Sequence, residues 1–160
     1  MAIEEGYFAE SIELKVPVNV KSQFDNFVKR GQGSKDKDLE ISPFNTMLEL
    51  WFLSVCIGAR NNEQFNTTNI NTTTFIRGNI FVGNDSNGLS RKWMIEILEA
   101  IAIATENTHE IINDPKDVIR IANNFAAGGI ADTLQMLEGE GFALANLHQN
   151  ILPLLETADY

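Results

Sequence analysis

The chain has 160 residues, of which 44% are hydrophobic, 21% charged and 9% aromatic, a composition that excludes wholesale disorder and suits one compact domain. Twelve Lys and Arg against 22 Asp and Glu leave a net charge of -10, which opposes generic coating of nucleic acid by the molecule as a whole. The single cysteine, Cys56, excludes an intrachain disulfide and a Cys-rich zinc site.

Met1 to Glu10 carries Glu4, Glu5 and Glu10, no basic residue and no apolar stretch, so no export signal is expected and a cytoplasmic location follows. The longest nearly continuous apolar stretch, Leu50 to Ile57, is far short of the roughly 20 residues that cross a bilayer. Ser11 to Val18 alternates apolar Ile12, Leu14, Val16 and Val18 with polar Glu13 and Lys15, the period of a half-buried strand. Pro17 confines it to a sheet edge or a strand end. Asn19 suits the cap of a helix through Arg30, with Val20, Phe24, Phe27 and Val28 as its apolar stripe and Gly31 and Gly33 as its stop. Lys35 to Glu40 reads as a charged surface loop.

Ser42 and Pro43 suit the N-cap and first position of a second helix, which Gly58 would end. From Met47 to Ile57 its apolar residues cover almost every face. Such a helix is either the central helix of a core or part of an oligomer interface, which makes Trp51, Phe52 and Val55 candidate interface residues. Asn61 to Thr74 holds five Asn and five Thr, side chains that compete for backbone hydrogen bonds and predict a mobile or turn-rich loop. Thr74 to Val82 reads as a short extended segment, and Gly83 to Gly88 as a turn.

Ser90 suits the cap of a helix to about His109, with a stripe of Met94, Ile97, Leu98, Ile101 and Thr105 widened by Ile95, Ala102 and Ile103. Asp114 and Pro115 open the next helix, whose expected inner face is Val118, Ile121, Ala122, Phe125, Ala126, Ile130, Leu134 and Leu137. Gly139 and Gly141 end it, and a last helix covers Phe142 to Glu156. The expected fold is mainly α and a single domain over 1–160. It comprises a strand–helix–helix unit over 11–58, a loop with a short extended segment over 61–88, and a helical body over 90–156.

Few residues point to chemistry. His109 and His148 lie on different predicted helices without ligand spacing. His109 and Glu110 are helix neighbours about 100° apart, which favours two surface residues over an acid/base pair. Cys56 falls in the apolar helix, where a buried inert thiol is expected. Gly31-Gln32-Gly33-Ser34-Lys35 follows a helix and lacks the spacing of a phosphate-binding loop. No metal, no cofactor and no catalytic set are expected, so the chain reads as a non-enzyme. Gly128-Gly129 inside a helical pattern costs about 1 kcal/mol per glycine, which implies close helix packing or a docking face for a partner backbone. Residues 15 to 37 hold six basic residues against two acidic ones, whereas residues 61 to 160 hold five against thirteen. The basic segment is either a solvated face or a nucleic-acid contact through Lys15, Lys21, Lys29 and Arg30.

The order strand, helix, capped apolar helix over residues 11–58 is similar to the ribbon-helix-helix unit, in which strands paired from two chains read a DNA groove. A longer pattern runs through Phe44-Asn45-Thr46-Met47-Leu48-Glu49-Leu50, the apolar run to Gly58, Phe75 to Val82, Ile101-Ala102-Ile103-Ala104 and Phe125-Ala126-Ala127-Gly128-Gly129-Ile130. In order and spacing these blocks resemble the small accessory proteins of bacterial DNA phosphorothioation (Dnd) islands. That family's last block has Tyr and Asn where this chain has Phe125 and Ala127. The resemblance implies a non-catalytic accessory or adaptor subunit of a prokaryotic genome-defence system. Its expected partners are a larger defence subunit, a second copy, or both, with nucleic acid met weakly or indirectly and no membrane. A ribbon-helix-helix-like DNA-binding regulator is the alternative.

Overall fold

The computed structural model describes residues 6–9, 11–28, 42–85 and 87–157. Strand β1 (Glu13–Pro17) runs antiparallel to β2 (Thr72–Arg77) in a two-stranded sheet. Leu14 and Val16 turn into the core while Glu13 and Lys15 stay half-buried, the alternation read from the sequence. The register sets Leu14 across from Ile76 and Lys15 across from Thr74, with a bulge between Leu14 and Lys15. The extended segment starts two residues before its expected position and tightens after Arg77 into a 3-10 turn, Gly78–Val82.

Helix α1 (Lys21–Asn26) is shorter than expected, because a 3-10 turn, Val18–Val20, takes up Asn19 and no side chain caps the helix. The expected end at Arg30, the glycines at 31 and 33 and the loop at 35–40 lie outside the described residues.

Helix α2 (Met47–Asn61) starts at Thr46, not at Ser42. Thr46 Oγ1 accepts from the Glu49 N–H at 3.4 Å, and Glu49 Oε2 accepts from the N–H groups of Thr46 and Asn45 at 3.3 and 2.8 Å. This capping box satisfies more of the helix's free N–H groups than a lone serine could. Ser42 is buried instead, its hydroxyl donating to the Asn26 carbonyl at 2.9 Å. Gly58 does not stop the helix. It runs on to Asn61 and ends at Asn62 in the left-handed conformation, φ 54°.

Helices α3 (Lys92–Glu106), α4 (Pro115–Leu137) and α5 (Ala143–Glu156) complete the mainly α architecture. Arg91 takes the N-cap position of α3, and Ser90 still contributes by accepting from the Lys92 N–H at 3.3 Å. The helix ends at Asn107, φ 54°, before His109, which begins a 3-10 turn to Asn113. Asp114 caps α4 through the Lys116 N–H at 2.9 Å, with Pro115 behind it. All the expected inner-face residues of α4 are 4% exposed or less. The buried face of α3 is Met94, Ile95, Leu98 and Ala102, whereas Ile97 and Thr105 of the expected stripe are exposed. Apolar residues wrap more of α3 than its neighbours cover. The core sits between α2 and α4, with the sheet, α1 and α3 packed around them.

Candidate docking surface

One short stretch of α4, Asn123 to Gly129, organises the surroundings of the sheet, α2 and the Asn/Thr loop. Asn123 is 4% exposed; its Oδ1 accepts from the Lys15 N–H at 2.8 Å and its Nδ2 donates to the Glu13 carbonyl at 2.9 Å. The side-chain amide therefore stands where a neighbouring strand would stand on the outer edge of β1. Asn124, one position on, holds the loop. Its Oδ1 accepts from both the N–H and the hydroxyl of Thr67 at 3.0 Å, and its carbonyl accepts from the Phe65 N–H at 3.0 Å. Asn66 closes the following turn by accepting from the Thr68 hydroxyl at 2.6 Å. The loop is turn-rich, as its composition predicts.

The glycines set the distances. A Cβ at Gly129 would collide with the Ser54 carbonyl and the Gly58 backbone, and one at Gly58 with the Phe125 carbonyl. At Gly128 the Glu63 carbonyl occupies that space. Gly58 is thus a point of contact between helices rather than a stop, and Gly128-Gly129 packs closely, one of the two alternatives open from sequence.

Loop 62–71 contributes to two grooves. The first, about 590 Å³, lies between Ile97, Ala100, Ile101 and Ala104 of α3 and Ala59, Asn62 and Gln64. The second, about 600 Å³, lies between Pro17 to Val20, the loop residues Phe65, Ile70 and Asn71, and Ala127, Ile130 and Ala131 of α4. Among the described residues neither groove has a charged lining residue, although 21% of the chain is charged. Around the second, Val18, Phe65 and Ile70 are 48%, 55% and 37% exposed. Met94 and Leu98 of the stripe expected on α3 are core, whereas Ile97, Ile101 and Thr105 form a wall of the first.

Trp51, Phe52, Val55, Gly128 and Gly129, the candidate interface residues, are all buried within the chain. Trp51 and Val55 have no exposure, and Phe52 stacks edge-on with Trp93 at 5.2 Å. The all-round apolar character of α2 is met by the chain's own elements, so these five line no free surface. Among the described residues the Trp51 indole N–H finds no acceptor. Lys15 lies 3.4 Å from Glu13 and Lys21 2.7 Å from Asp25, while Lys29 and Arg30 lie outside the described residues. The structure therefore gathers no basic patch from Lys15 and Lys21, each of which has an acidic neighbour.

Among the described residues no three His, Cys, Asp or Glu side chains cluster as metal ligands, and no helix is long and apolar enough to cross a membrane. Burial pushes the Cys56 thiol up, away from its nucleophilic form. Burial also pushes the Tyr7 phenol well above its ordinary range, and the nearby carboxylates of Glu99 and Asp114 add to the effect. No protein family, curated protein or solved structure matches the chain.

Asn123 and Asn124 were missed in the sequence. The available signal was a pair of poor helix formers in the middle of an apolar helix, next to a glycine pair that already demanded an explanation.

Proposed function

We propose that this chain is a non-catalytic accessory subunit of a prokaryotic genome-defence system, docking on a larger protein of that system. One observation carries the docking reading: two uncharged, apolar grooves border a loop that is hydrogen-bonded down onto α4. Such a surface offers nothing to phosphate, which binds through Lys, Arg and backbone N–H groups. It offers much to an apolar protein segment, since exposed apolar patches with a polar rim mark protein interaction sites. A fixed loop adds affinity by sparing the entropy of ordering it on binding. The defence setting rests on the resemblance of the apolar blocks between Phe44 and Ile130 to the Dnd accessory proteins. The occupant is an apolar segment of the larger subunit, seated on Val18, Phe65 and Ile70.

The test is recovery of the complex from the native host with wild type and with a Phe65→Asp, Ile70→Asp double variant. Both side chains are exposed, so the variant folds. The expected result is a larger protein of the same defence locus that accompanies the wild type and is lost with the variant. Equal recovery with both, or no such partner, overturns the reading. Sub-micromolar duplex binding that depends on Lys15 and Lys21 replaces it with the DNA-binding regulator.

A further inference from the structure

Of the chain's many asparagines only Asn87 is followed by glycine. Both residues are exposed, on the turn that leads into α3, and a Cβ at Gly88 would meet nothing within 4 Å. Gly88 takes φ 80°, a conformation that glycine adopts without steric cost. Asp85 ties the turn together. Its Oδ1 accepts from the Asn87 and Leu89 N–H groups, each at 2.9 Å. Its carbonyl accepts from the Gly88 N–H at 3.1 Å, and its N–H donates to the Leu89 carbonyl at 2.7 Å. An asparagine amide carbon lies within ring-closing reach of the next residue's nitrogen, and before glycine no side chain shields that nitrogen.

We infer that Asn87–Gly88 is a self-modification site, where the chain converts Asn87 to aspartate and isoaspartate with water as co-reactant, and that Asp85 is the positioning residue that restrains it. The Gly88 amide gives its proton to hydroxide, and its nitrogen attacks Cγ of Asn87. The new N–Cγ bond forms, the Cγ–Nδ2 bond breaks, and the leaving group takes a proton from water and departs as ammonia. Water then opens the cyclic imide. Cleavage at Cγ leaves aspartate, and cleavage at the main-chain carbonyl leaves isoaspartate, in which the backbone runs through the former side chain. Asp85 opposes the first step in two ways. Its carbonyl occupies the N–H that must be released, and its carboxylate disfavours the amide anion as any neighbouring negative charge does. The reaction is therefore slow while the turn is closed. Isoaspartate lengthens the backbone inside the turn, so the bond from the Asp85 N–H to Leu89 loses its register. Among the described residues this turn lines neither groove, so this proposal and the docking reading can fail separately.

The test incubates the purified full chain at mildly acid and mildly alkaline pH, at low and high salt, and in concentrated urea. Arg77 and Arg91 let trypsin release the turn as one peptide, residues 78–91, whose Asn, Asp and isoAsp forms at position 87 are separated by chromatography and located by fragmentation. Both products should accumulate at position 87, faster at alkaline pH and faster again in urea, where the turn is open. Asn87→Gln, whose longer side chain disfavours ring closure, should give neither product at that position. Asp85→Ala should convert about threefold faster or more, with an unchanged thermal melt. Salt should speed the wild type, by screening the Asp85 charge, and leave Asp85→Ala nearly unaffected, a difference that a merely structural role would not produce. No conversion at position 87 at alkaline pH, equal rates in buffer and in urea, an Asp85→Ala rate no higher than wild type, or the same salt effect in both each overturns the inference.

Discussion

Asn123 completes the backbone hydrogen bonding of Lys15, 108 residues away in sequence, at 2.8 Å. The opposite end of the same amide serves the Glu13 carbonyl at 2.9 Å, so one side chain supplies both the acceptor and the donor that an edge strand lacks. An amide does both at once because its donor and its acceptor are separate atoms. Asn123→Ala leaves a part-buried N–H and C=O unmatched, and a stability loss of about 2–4 kcal/mol in urea unfolding is expected. Asn123→Asp keeps the acceptor but turns an oxygen toward the Glu13 carbonyl, and should be no better than Ala at neutral pH. A loss under 0.5 kcal/mol for either would show that water replaces the amide.

Gly129→Ala and Gly58→Ala should each lower stability by about 3 kcal/mol or more. In both cases the added methyl meets backbone of the opposite helix, and backbone has no rotamer with which to yield. Gly83→Ala is the control, since its methyl meets the far end of Arg91 at 3.2 Å and the Ile80 carbonyl at an ordinary 3.9 Å. Equal melts for the three variants would disprove the close approach of α2 and α4.

Tyr7 makes stability depend on alkaline pH. Its phenol is raised in the folded chain, by burial first and then by Glu99 and Asp114, while the unfolded chain titrates near 10. Below that pH both states are protonated. Above it the unfolded state loses a proton that the folded state keeps, and stability falls by about 1.4 kcal/mol per pH unit from this residue. The side chain is 1% exposed, so Tyr7→Phe removes a phenol that the folded chain keeps protonated. It should therefore flatten the alkaline slope. An unchanged slope in denaturant melts from pH 8 to 11 would refute this.

A duplex titration should show no sub-micromolar binding by the isolated protein near physiological salt. Four phosphate contacts would give a salt slope of about -3.6, and two of the four candidate cations, Lys15 and Lys21, already face Glu13 and Asp25. Tight binding with that slope would establish these pairs as exchangeable and the segment as a DNA contact.

Most of the fold is local in origin and was legible. The 3.6-residue stripe of α4, the Asp114–Pro115 start and the period of β1 depend on neighbours a few residues apart, and all appear where the residues placed them. The cap of α2 was misplaced by four residues, because Ser42 and Thr46 are both competent caps and the reciprocal bond from Glu49 decides between them.

What the sequence by itself determined is which segments are helix or strand and which faces are apolar, since those follow from periodicity and local hydrogen bonding. What only the tertiary structure decided is where these faces go. The apolar α2 is covered by its own chain because Gly58 and Gly129 let α4 approach closely. Ile97 and Ile101 of α3 line a groove because the adjoining elements leave that side partly uncovered. Asn123 and Asn124 hold the strand and the loop, which are distant in sequence and adjacent in space. Such assignments depend on which side chain meets which at long range, and no local pattern encodes that meeting.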